Sequence, residues 1–429
     1  MNVLIIGAGG REHALAWKIA QSPRVAKVFV APGNAGTALE PALVNVAVTA
    51  TVDLVALAQA EQIALTVVGP EAPLAAGIVD AFRAAGLRIF GPTQAAARLE
   101  SSKDYAKAFM ARHVIPTAAY RAFTAAQEAH AYVAERGAPI VVKADGLAAG
   151  KGVVVAARVD EAHAAIDAML GSNRLGIHHN PTSARIVIEE HLAGEEASFI
   201  VMADGRNVLP LASSQDHKRL LDDDRGPNTG GMGAYSPAPV VTPTVHARIM
   251  REIILPTVQG MADEGTPYTG FLYAGLMIDA AGNPRTLEFN CRLGDPEAQP
   301  MMLRLRSDLV ELLLHATNGA LDRIDAEWDR RAALGVVLAA GGYPDRPRKG
   351  DPISGLDAMP ENCKVFHAGT ALADGRPVTA GGRVLCVTAL GETVRQAKRA
   401  AYAAVAGIHF DGMQYRKDIG NRALAVRRG

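Results

Sequence analysis

Short apolar runs alternate with helical patterns along the first hundred residues of the chain. Apolar runs at residues 3–6, 28–30, 65–68 and 88–90 are predicted strands, and residues 12–20 are the first predicted helix. The spacing leaves room for a crossover between strands, which predicts a parallel sheet covered on both faces. Ligands of such sheets bind at the carboxyl ends of the strands. We therefore expect a site among the loops at residues 7–12, 32–36, 69–73 and 91–93.

The pattern changes after residue 101. A helix is predicted over residues 101–113 and ends before Pro116. Predicted strands at 138–142, 152–156 and 185–189, with a helix near 160–169, indicate a small α+β subdomain. A third stretch, from about 199 to 316, holds predicted strands at 199–202, 274–278 and 286–290. Beyond Trp328, strands at 334–339 and 383–389 and a helix at 393–407 indicate a smaller C-terminal domain.

Composition narrows the class of protein. A length of 429 residues suggests about three domains of about 150 residues each. Hydrophobic residues make up 49% and charged residues 21%, which allows sizeable cores. Basic and acidic residues both number 44, so net charge gives no reason to expect a nucleic-acid or membrane partner. Three widely spaced cysteines support neither a disulfide framework nor a structural zinc site.

The N-terminal segment indicates where the protein resides. Its apolar run is too short for a signal sequence and has no preceding basic segment. No run of about 18 apolar residues suggests a membrane span. We therefore expect a cytoplasmic protein.

The first glycine loop carries Gly7, Gly9 and Gly10, followed by Arg11 and Glu12, between a predicted strand and helix. Glycines allow close backbone approach to a phosphate, and the helix N-terminus favours its charge. The pattern is not a full G-x-G-x-x-G, which argues against a dinucleotide and for a single phosphate. The alternative is a tight strand-to-helix turn without a ligand.

A second glycine segment, residues 143–152, joins two strands of the small subdomain and contains Lys143, Gly150, Lys151 and Gly152. It lacks the G-x-x-x-x-G-K-[ST] order of a Walker loop. A glycine hairpin can nevertheless cover nucleotide phosphates with its backbone N–H groups, while Lys143 adds a point charge. The alternative is a flexible hairpin with two solvated lysines.

Acidic residues cluster after the strand predicted at 185–189. They include Glu189, Glu190, Glu195 and Glu196, with Leu192 between them. A solvated charged surface is one interpretation. In the other, the backbone of Glu190 and Leu192 contacts an adenine edge and a later glutamate accepts hydrogen bonds from ribose hydroxyls.

A predicted strand at 286–290 carries Glu288 and Asn290, which alternation places on one face, with Leu287 and Phe289 on the other. One or two such protein oxygens plus nucleotide phosphates suit Mg²⁺. Arg292 follows and is suited to bidentate binding of a carboxylate or phosphoryl group. The alternative is a surface strand end with an ion pair. Residues 214–219 and 226–233 are interpreted as long polar loops that either cover a ligand or merely connect elements.

Together these segments resemble the glycinamide ribonucleotide synthetase family of the ATP-grasp superfamily. The matching phrases are VLIIGAGGREHALAW, APGNAG, GPEAPL, VVKADGLAAGKGV, SQDHKR, GPNTGGMGAYSP, LEFNCRLGDPE and RKDIG. The resemblance covers essentially the whole chain. Single glycine loops are weak signals, but their order and joint presence are specific.

The resemblance implies an α/β and α+β fold with three domains. These are a doubly wound N-terminal domain for phosphoribosylamine (1–101), a two-lobed ATP-grasp domain (102–318, small lobe about 118–192) and a small C-terminal α+β domain (319–429). The implied reaction uses ATP to convert glycine to glycyl phosphate, which the amine of 5-phosphoribosylamine attacks in purine biosynthesis. Because this amine is short-lived, the resemblance also suggests transient contact with neighbouring pathway enzymes.

The resemblance also implies roles for individual residues. The implied metal is Mg²⁺ or Mn²⁺ on Glu288 and Asn290. The implied ATP-binding set is Lys103, Lys143, Gly150, Lys151, Gly152, Glu189, Glu190, Leu192 and Glu196. The implied catalytic set is Arg292, Lys143, Asp216 and Asp295, in which Asp216 and Asp295 are unranked partners for the glycine ammonium. The implied substrate-binding set is Gly9, Gly10, Arg11, Glu12, Asn34, Glu71, Asp216, Lys218, Arg292, Gly294 and Asp295.

One position departs from the wider superfamily. Many members carry an acidic metal ligand on the preceding strand, where this chain has Met277, so a second metal ion would rest mainly on phosphates and water. Another ATP-grasp ligase or carboxylase is the first alternative function. An NAD(P)-binding regulator is the second, although Glu40 is not at an obvious second-strand end.

Overall fold

The computed structural model describes residues 1–147, 152–171, 178–179, 184–357 and 359–425. Its N-terminal part is a doubly wound unit. The strands are β1 (Asn2–Gly7), β2 (Lys27–Pro32), β3 (Leu43–Asn45), β4 (Ile63–Val68) and β5 (Ile89–Phe90). The helices are α1 (Gly10–Ile19), α2 (Ala35–Leu39), α3 (Thr51–Ala60), α4 (Glu71–Ala75) and α5 (Ile78–Ala84).

All strand pairs of this sheet are parallel, in the order β3-β2-β1-β4-β5. Alternate residues of β1 enter different cores: Leu4 packs in one hydrophobic cluster and Val3 and Ile5 in another. Helices therefore cover both faces, as predicted. The strand order reverses between β1 and β4, which places a ligand crevice at their carboxyl ends. The sequence pattern missed β3 because three residues are too few to show a period.

The helix predicted at 101–113 is present as α7 (Lys103–Arg112), and a short helix, α6 (Arg98–Ser101), precedes it. Ser102 between them is extended, with φ −137° and ψ 112°, and its hydroxyl accepts a hydrogen bond from the backbone N–H of Tyr105. Serine favours this capping role over a place within a helix. The predicted helix therefore begins after Ser102 rather than at residue 101.

A small lobe follows. Its elements are β6 (Tyr120–Phe123), α8 (Ala126–Arg136), β7 (Ile140–Ala144), β8 (Gly146–Leu147), β9 (Val153–Ala156), α9 (Val159–Ile166), β10 (His178–His179) and β11 (Ile186–Glu190). The main sheet is antiparallel in the order β6-β11-β7-β9. A π-helical turn, Asp167–Gly171, extends α9. The lobe has its own hydrophobic core, formed by residues such as Val142 and Ile188.

The larger lobe is built on the antiparallel sheet β13-β12-β18-β19. Its strands are β12 (Glu195–Asp204), β13 (Val208–Pro210), β18 (Thr269–Ile278) and β19 (Pro284–Asn290). Its helices are α10 (Pro243–Ile249), α11 (Leu255–Asp263), α12 (Ala298–Arg304) and α13 (Leu309–Thr317), and a π-helical turn, Met250–Ile254, joins α10 to α11.

The segment between β13 and α10 is not simply a pair of loops, as we interpreted it. It contains β14 (Gln215–Asp216), β15 (Arg219–Leu221), β16 (Arg225–Asn228) and β17 (Gly233–Ser236). β15 and β16 form a hairpin, whereas β14 and β17 join the C-terminal sheet. Strands this short, with glycines between them, carry no detectable period.

The C-terminal sheet has the order β14-β17-β20-β24-β21. Its remaining elements are β20 (Ala332–Ala339), β21 (Cys363–His367), β24 (Arg383–Gly391), the hairpin β22 (Thr370–Ala373) and β23 (Arg376–Thr379), and the helices α14 (Val394–Val405) and α15 (Asn421–Leu424). The predicted fold class is confirmed. A search of the described ranges finds no helix with the length and apolar character to cross a membrane.

Candidate active site

A cleft of about 1110 Å³ opens where the N-terminal loops, both ATP-grasp lobes and the C-terminal sheet meet. It brings together most of the residues singled out from the sequence. These are Gly9, Arg11, Glu12, Glu71, Lys103, Lys143, Gly152, Glu189, Glu190, Leu192, Glu196, Asp216, Lys218, Glu288, Asn290, Arg292, Gly294 and Asp295. Gly10 and Asn34 are not in its lining, and Gly150 and Lys151 lie outside the described residues.

Lys143 lies at the end of β7 and its ammonium is buried. Nζ is 3.0 Å from Oε2 of Glu189 and donates to the carbonyl of Leu287 at 3.0 Å. Lys107, which the sequence analysis missed, is 3.1 Å from the same Glu189 oxygen. Burial lowers the pKa of Lys107 to about 8, although Glu189 opposes the shift. Lys107 lies one helical turn after Lys103 in α7, and that spacing was the available signal.

A β-bulge at Leu287 shapes this end of the cleft. Glu288 pairs with Gly275 but Thr286 pairs with Leu276, so Leu287 has no partner residue on β18. The bulge corrects the predicted alternation: Phe289 is in the core, but Leu287 is only half-buried at the cleft. It also leaves the Leu287 carbonyl free of the ladder to accept from Lys143.

Glu288 and Asn290 lie on one stretch of β19 that lines the cleft. Burial by itself would raise the pKa of Glu288, but Lys218, Lys143 and Lys103 outweigh it and lower that pKa to about 2. The carboxylate is therefore ionised at neutral pH. A carboxylate and an amide oxygen two residues apart fit a Mg²⁺ ion that keeps water and phosphate ligands. In the part of the chain that the structure describes, no group of three or more His, Cys, Asp or Glu residues could hold a metal alone.

Lys218 connects Glu288 to Glu196. Its Nζ is 2.6 Å from Oε1 of Glu196 and 3.5 Å from Oε1 of Glu288. Burial would lower the pKa of Lys218, but these two carboxylates raise it well above its ordinary value. Lys218 is thus a fixed positive charge between the predicted ribose acid and the predicted metal ligand.

The side chains of the segment predicted to face adenine, residues 189–192, make contacts within the protein. The side chain of Glu189 is held by the two lysines, and Leu192 is buried. Glu190 accepts from the backbone N–H of Ala119 at 2.9 Å and from Arg285 at 2.6 Å. The side chain of Glu190 is therefore engaged within the protein, and its backbone N–H donates to the Ala119 carbonyl at 3.0 Å.

Arg292 is held by two carboxylates. Its Nε is 3.2 Å from Oε2 of Glu71, and its Nη2 is 2.9 Å from Oε1 of Glu100. Burial would lower the pKa of Arg292, but these carboxylates raise it, so the guanidinium stays charged. Glu100 was not predicted from the sequence, because it lies far from Arg292 along the chain and carries no local signal.

Asp216 and Asp295 have opposite electrostatic environments. Burial raises the pKa of Asp216 well above its ordinary value, and the nearby Glu297 and Glu196 add to the shift. Burial would also raise the pKa of Asp295, but Arg383 and Arg11 outweigh it and lower that pKa. Arg383, another residue the sequence analysis missed, is 3.2 Å from Oδ2 of Asp295 and donates to the Gly230 carbonyl at 2.5 Å.

Glu297 is a further missed residue beside Asp216. It is 2% exposed and accepts a hydrogen bond from the Ser198 hydroxyl at 2.8 Å. A Cβ atom at Gly294 would lie 2.3 Å from Oε2 of Glu297, so a side chain there would force this carboxylate to move. Gly294 therefore makes room for a buried acid.

The first glycine loop is tied together by Glu12. Its carboxylate accepts from the Gly9 N–H and pairs with Nε of Arg11, both at 2.5 Å. Arg11 also donates to the Leu293 carbonyl at 3.0 Å, which joins the N-terminal loop to the segment after β19. A Cβ at Gly69 would lie 2.0 Å from Glu12, so the GPEAPL loop approaches it closely.

The side-chain amide of Asn34 forms hydrogen bonds with other residues of the protein. Its Oδ1 accepts from the Thr37 N–H at 3.0 Å, and its Nδ2 donates to the carbonyls of Ala8 and His367, both at 2.9 Å. Asn34 thus links the first glycine loop, α2 and the C-terminal domain from outside the cleft lining. The structure leaves its predicted substrate contact untested.

Two lobes that face each other across lysines and a Glu-x-Asn pair define the ATP-grasp class of enzymes. The fold agrees with the solved biotin carboxylase domain of Hydrogenobacter thermophilus 2-oxoglutarate carboxylase, a complex with MgADP and bicarbonate. The TM-score is 0.74 at 15% identity, covering 96% of this chain and 91% of that one. At this identity the likeness establishes the fold alone.

The models of one protein family match three consecutive parts of the chain. Its residues 1–100, 101–298 and 333–422 match the N, ATP-grasp (A) and C domains of phosphoribosylglycinamide synthetase. The phosphoribosylamine–glycine ligase of Ralstonia nicotianae is 66% identical over 99% of this chain and 100% of that protein. The crystal structure of the Thermotoga maritima phosphoribosylamine–glycine ligase has a TM-score of 0.84 at 37% identity, covering 98% and 100% of the two chains. The chain belongs to the phosphoribosylglycinamide synthetase family.

Proposed function

We propose that this chain joins glycine to 5-phosphoribosylamine at the expense of ATP, giving glycinamide ribonucleotide, ADP and phosphate. One observation carries the proposal: Lys103, Lys143, Glu288 and Asn290 line the same cleft as Arg292 and the first glycine loop. One end suits a metal–nucleotide, and the other suits an anionic sugar phosphate. The names of the full-length relatives support the same reaction.

The reaction has two steps. A carboxylate oxygen of glycine attacks the γ-phosphorus of ATP and ADP leaves, which gives glycyl phosphate. The amine of phosphoribosylamine then attacks the acyl carbon, loses a proton, and the C–O bond breaks to release phosphate. Phosphoryl transfer depends mainly on positioning and charge neutralisation, so the protein needs no nucleophile of its own.

The nucleotide end is formed by residues on α7, β7, β11, β12 and β19 and in the segments beside them. Lys103 and Lys143 neutralise phosphates, Lys143 from a position fixed by Glu189 and the Leu287 carbonyl. The backbone of Glu190 and Leu192 faces adenine, and Glu196 accepts from the ribose. Glu288 and Asn290 hold a divalent cation, Mg²⁺ or Mn²⁺, which when bound neutralises phosphate charge. Gly152, together with Gly150 and Lys151 outside the described residues, remains a predicted phosphate contact.

The glycine site lies around Arg292. Arg292 binds the carboxylate and stabilises charge on the acyl phosphate. Of the two unranked aspartates, we assign the ammonium to Asp216, because Asp295 already pairs with Arg383. The raised pKa of Asp216 supports this assignment. Burial and the nearby Glu297 and Glu196 disfavour its ionised form, and the positive charge of a bound ammonium would offset that effect.

The phosphoribosylamine site lies at the N-terminal loops. The backbone of Gly9, the guanidinium of Arg11 and the carboxylate of Glu71 line this end of the cleft. Arg383 adds a C-terminal cation beside Asp295. We assign the sugar phosphate to Arg11 and the adjoining glycine loop, and a cytoplasmic location to the protein. Transient contact with neighbouring pathway enzymes stays a prediction.

The test is ADP release by the full-length protein with Mg²⁺ and ATP. We expect turnover that requires glycine and phosphoribosylamine together, with glycinamide ribonucleotide identified by mass spectrometry. Bicarbonate replaces glycine in a parallel reaction. ADP release that depends on bicarbonate and ignores glycine would identify a carboxylase instead.

A further inference from the structure

A buried carboxylate lies directly behind the nucleotide end of the cleft. Asp145, one residue after β7, is 1% exposed. Its Oδ1 accepts from the backbone N–H of Lys103 at 2.7 Å and of Asp104 at 3.3 Å, and from the Ser102 hydroxyl at 3.2 Å. The first N–H groups of a helix have no partner inside it. Asp145 therefore caps α7 from a strand about 40 residues away in sequence.

This cap crosses the boundary between two hydrophobic cores. The buried side of α7, including Phe109, packs in one cluster with Phe199 of β12 and Leu272 of β18. β7 contributes Val142 and Ala144 to the separate core of the small lobe. Asp145 is consequently a polar joint between the small lobe and the rest of the molecule.

Arg185 strengthens the same joint. It lies immediately before β11, forms an ion pair with Asp104, and its carbonyl accepts from the Asp145 N–H at 2.9 Å. The end of β7 and the start of β11 are thus both tied to the first turn of α7. The negative charge also lies at the end of the helix where its dipole favours an anion.

The joint connects the two lysines assigned to the nucleotide. Lys103 is the first residue of α7, and its Nζ donates to the Gly146 carbonyl at 3.0 Å. Lys143 is two residues before Asp145 on the strand. The position of Asp145 therefore determines how Lys103, on the large-lobe side, is placed against Lys143 and the base of the glycine segment.

We infer that Asp145 is a positioning residue for ATP, which sets the spacing of Lys103 and Lys143 by capping α7 across the lobe boundary. The inference rests on the proposed nucleotide site. It assigns to the acid of the VVKADGLAAGKGV segment a role separate from substrate contact, since Asp145 touches the first turn of α7 and the cleft is lined by its neighbours.

The test compares Asp145→Asn with the wild-type full-length protein. The amide keeps the shape but loses the charge that two N–H groups and a hydroxyl share, so we expect the KM for ATP to rise at least about fivefold. The KM values for glycine and phosphoribosylamine should stay within about twofold. Asp160→Asn, at an exposed carboxylate of α9 in the same lobe, is the matched control and should leave all three unchanged.

A second comparison separates positioning from general damage to the fold. In a Lys103→Met background, Asp145→Asn should add less than about twofold to the KM for ATP, because the lysine through which it acts is gone. Asp145→Glu keeps the charge but displaces it, and should raise the KM for ATP at least about twofold. The Asp145→Glu variant replaces Asp145→Asn in the test if the thermal midpoint shows that Asp145→Asn does not fold.

The experiments distinguish a failure of the positioning role of Asp145 from a failure of the proposed function. An unchanged KM for ATP in Asp145→Asn or Asp145→Glu, or an equal rise with and without Lys103, would overturn the inference while leaving the ligase activity intact. A wild-type protein that does not require glycine would overturn the proposed function instead.

Discussion

Arg292→Lys tests whether a fixed guanidinium plane is needed for the chemical step. In the structure Nε faces Glu71 and Nη2 faces Glu100, so two carboxylates orient the group. Lysine offers a single ammonium with no planar fork. It can neutralise one of these acids or reach the substrate, but it cannot keep both ion pairs of the guanidinium.

The size of the effect follows from the contact that is lost. A hydrogen bond to a charged group contributes about 1.5–3 kcal/mol. Because about 1.36 kcal/mol corresponds to tenfold in rate, losing one such contact in the transition state lowers kcat by about 10- to 150-fold. Glycine binding should weaken less, since the ammonium contact with Asp216 remains.

The assay is steady-state ADP release at saturating ATP and phosphoribosylamine with glycine varied. Arg248→Lys is the matched control, because Arg248 is likewise paired with a carboxylate, Glu252, but lies on α10 away from the cleft. Thermal midpoints of both variants separate a loss of chemistry from a loss of folded protein. A kcat for Arg292→Lys within about twofold of wild type would remove Arg292 from the catalytic set.

Three further predictions address other parts of the cleft. Arg11→Ala should raise the KM for phosphoribosylamine about tenfold or more and leave the KM for ATP nearly unchanged; equal losses for both substrates in steady-state assays would contradict the division of the cleft. Because burial and nearby acids raise the pKa of Asp216, an ammonium must displace a proton when the pH is low. Glycine affinity, measured by calorimetry, should therefore fall as the pH is lowered through that pKa, and Asp216→Asn should bind glycine weakly with little pH dependence. The pKa of Lys107, about 8 in the folded protein against 10.5 as its ordinary value, means that the unfolded chain holds more protons between these values. The free energy of unfolding of wild type relative to Lys107→Met should thus rise with pH across 8 to 10.5, by on the order of 3 kcal/mol, in urea titrations; a difference that does not change with pH would show that the lysine is not desolvated.

Local hydrophobic patterns were sufficient to predict the strands that are long and buried. The strands β1, β2 and β4 were predicted within a few residues because continuous apolar runs mark strands buried on both faces. The Glu-x-Asn pair was placed on a strand by the alternation of polar and apolar residues, and it lies on β19. The alternation of buried and exposed residues failed at Leu287, where a bulge adds one residue to the strand. The helix predicted from residue 101 begins later, because Ser102 is its N-cap.

Some site residues could not be predicted from the sequence for a different reason. Glu100 and Arg383 reach the cleft through contacts with residues far away in sequence, Arg292 and Asp295. Nothing in the residues beside them indicates such a partner, because packing of separate domains creates the contact. Lys107 differs, since its spacing from Lys103 on one helix face was visible before its partner Glu189 was known.

The pairing of β14 with β17, and of β17 with β20, has a consequence for how the protein is made. The two short strands that include Asp216 join their sheet only when residues 332–339 have been synthesised, and the Arg383 contact needs β24 as well. A nascent chain that already contains both lysines and the Glu-x-Asn pair still lacks a finished glycine pocket. Fragments that stop after α13 should therefore retain some affinity for nucleotide but no ligase activity, and activity should emerge late, after the last sheet closes.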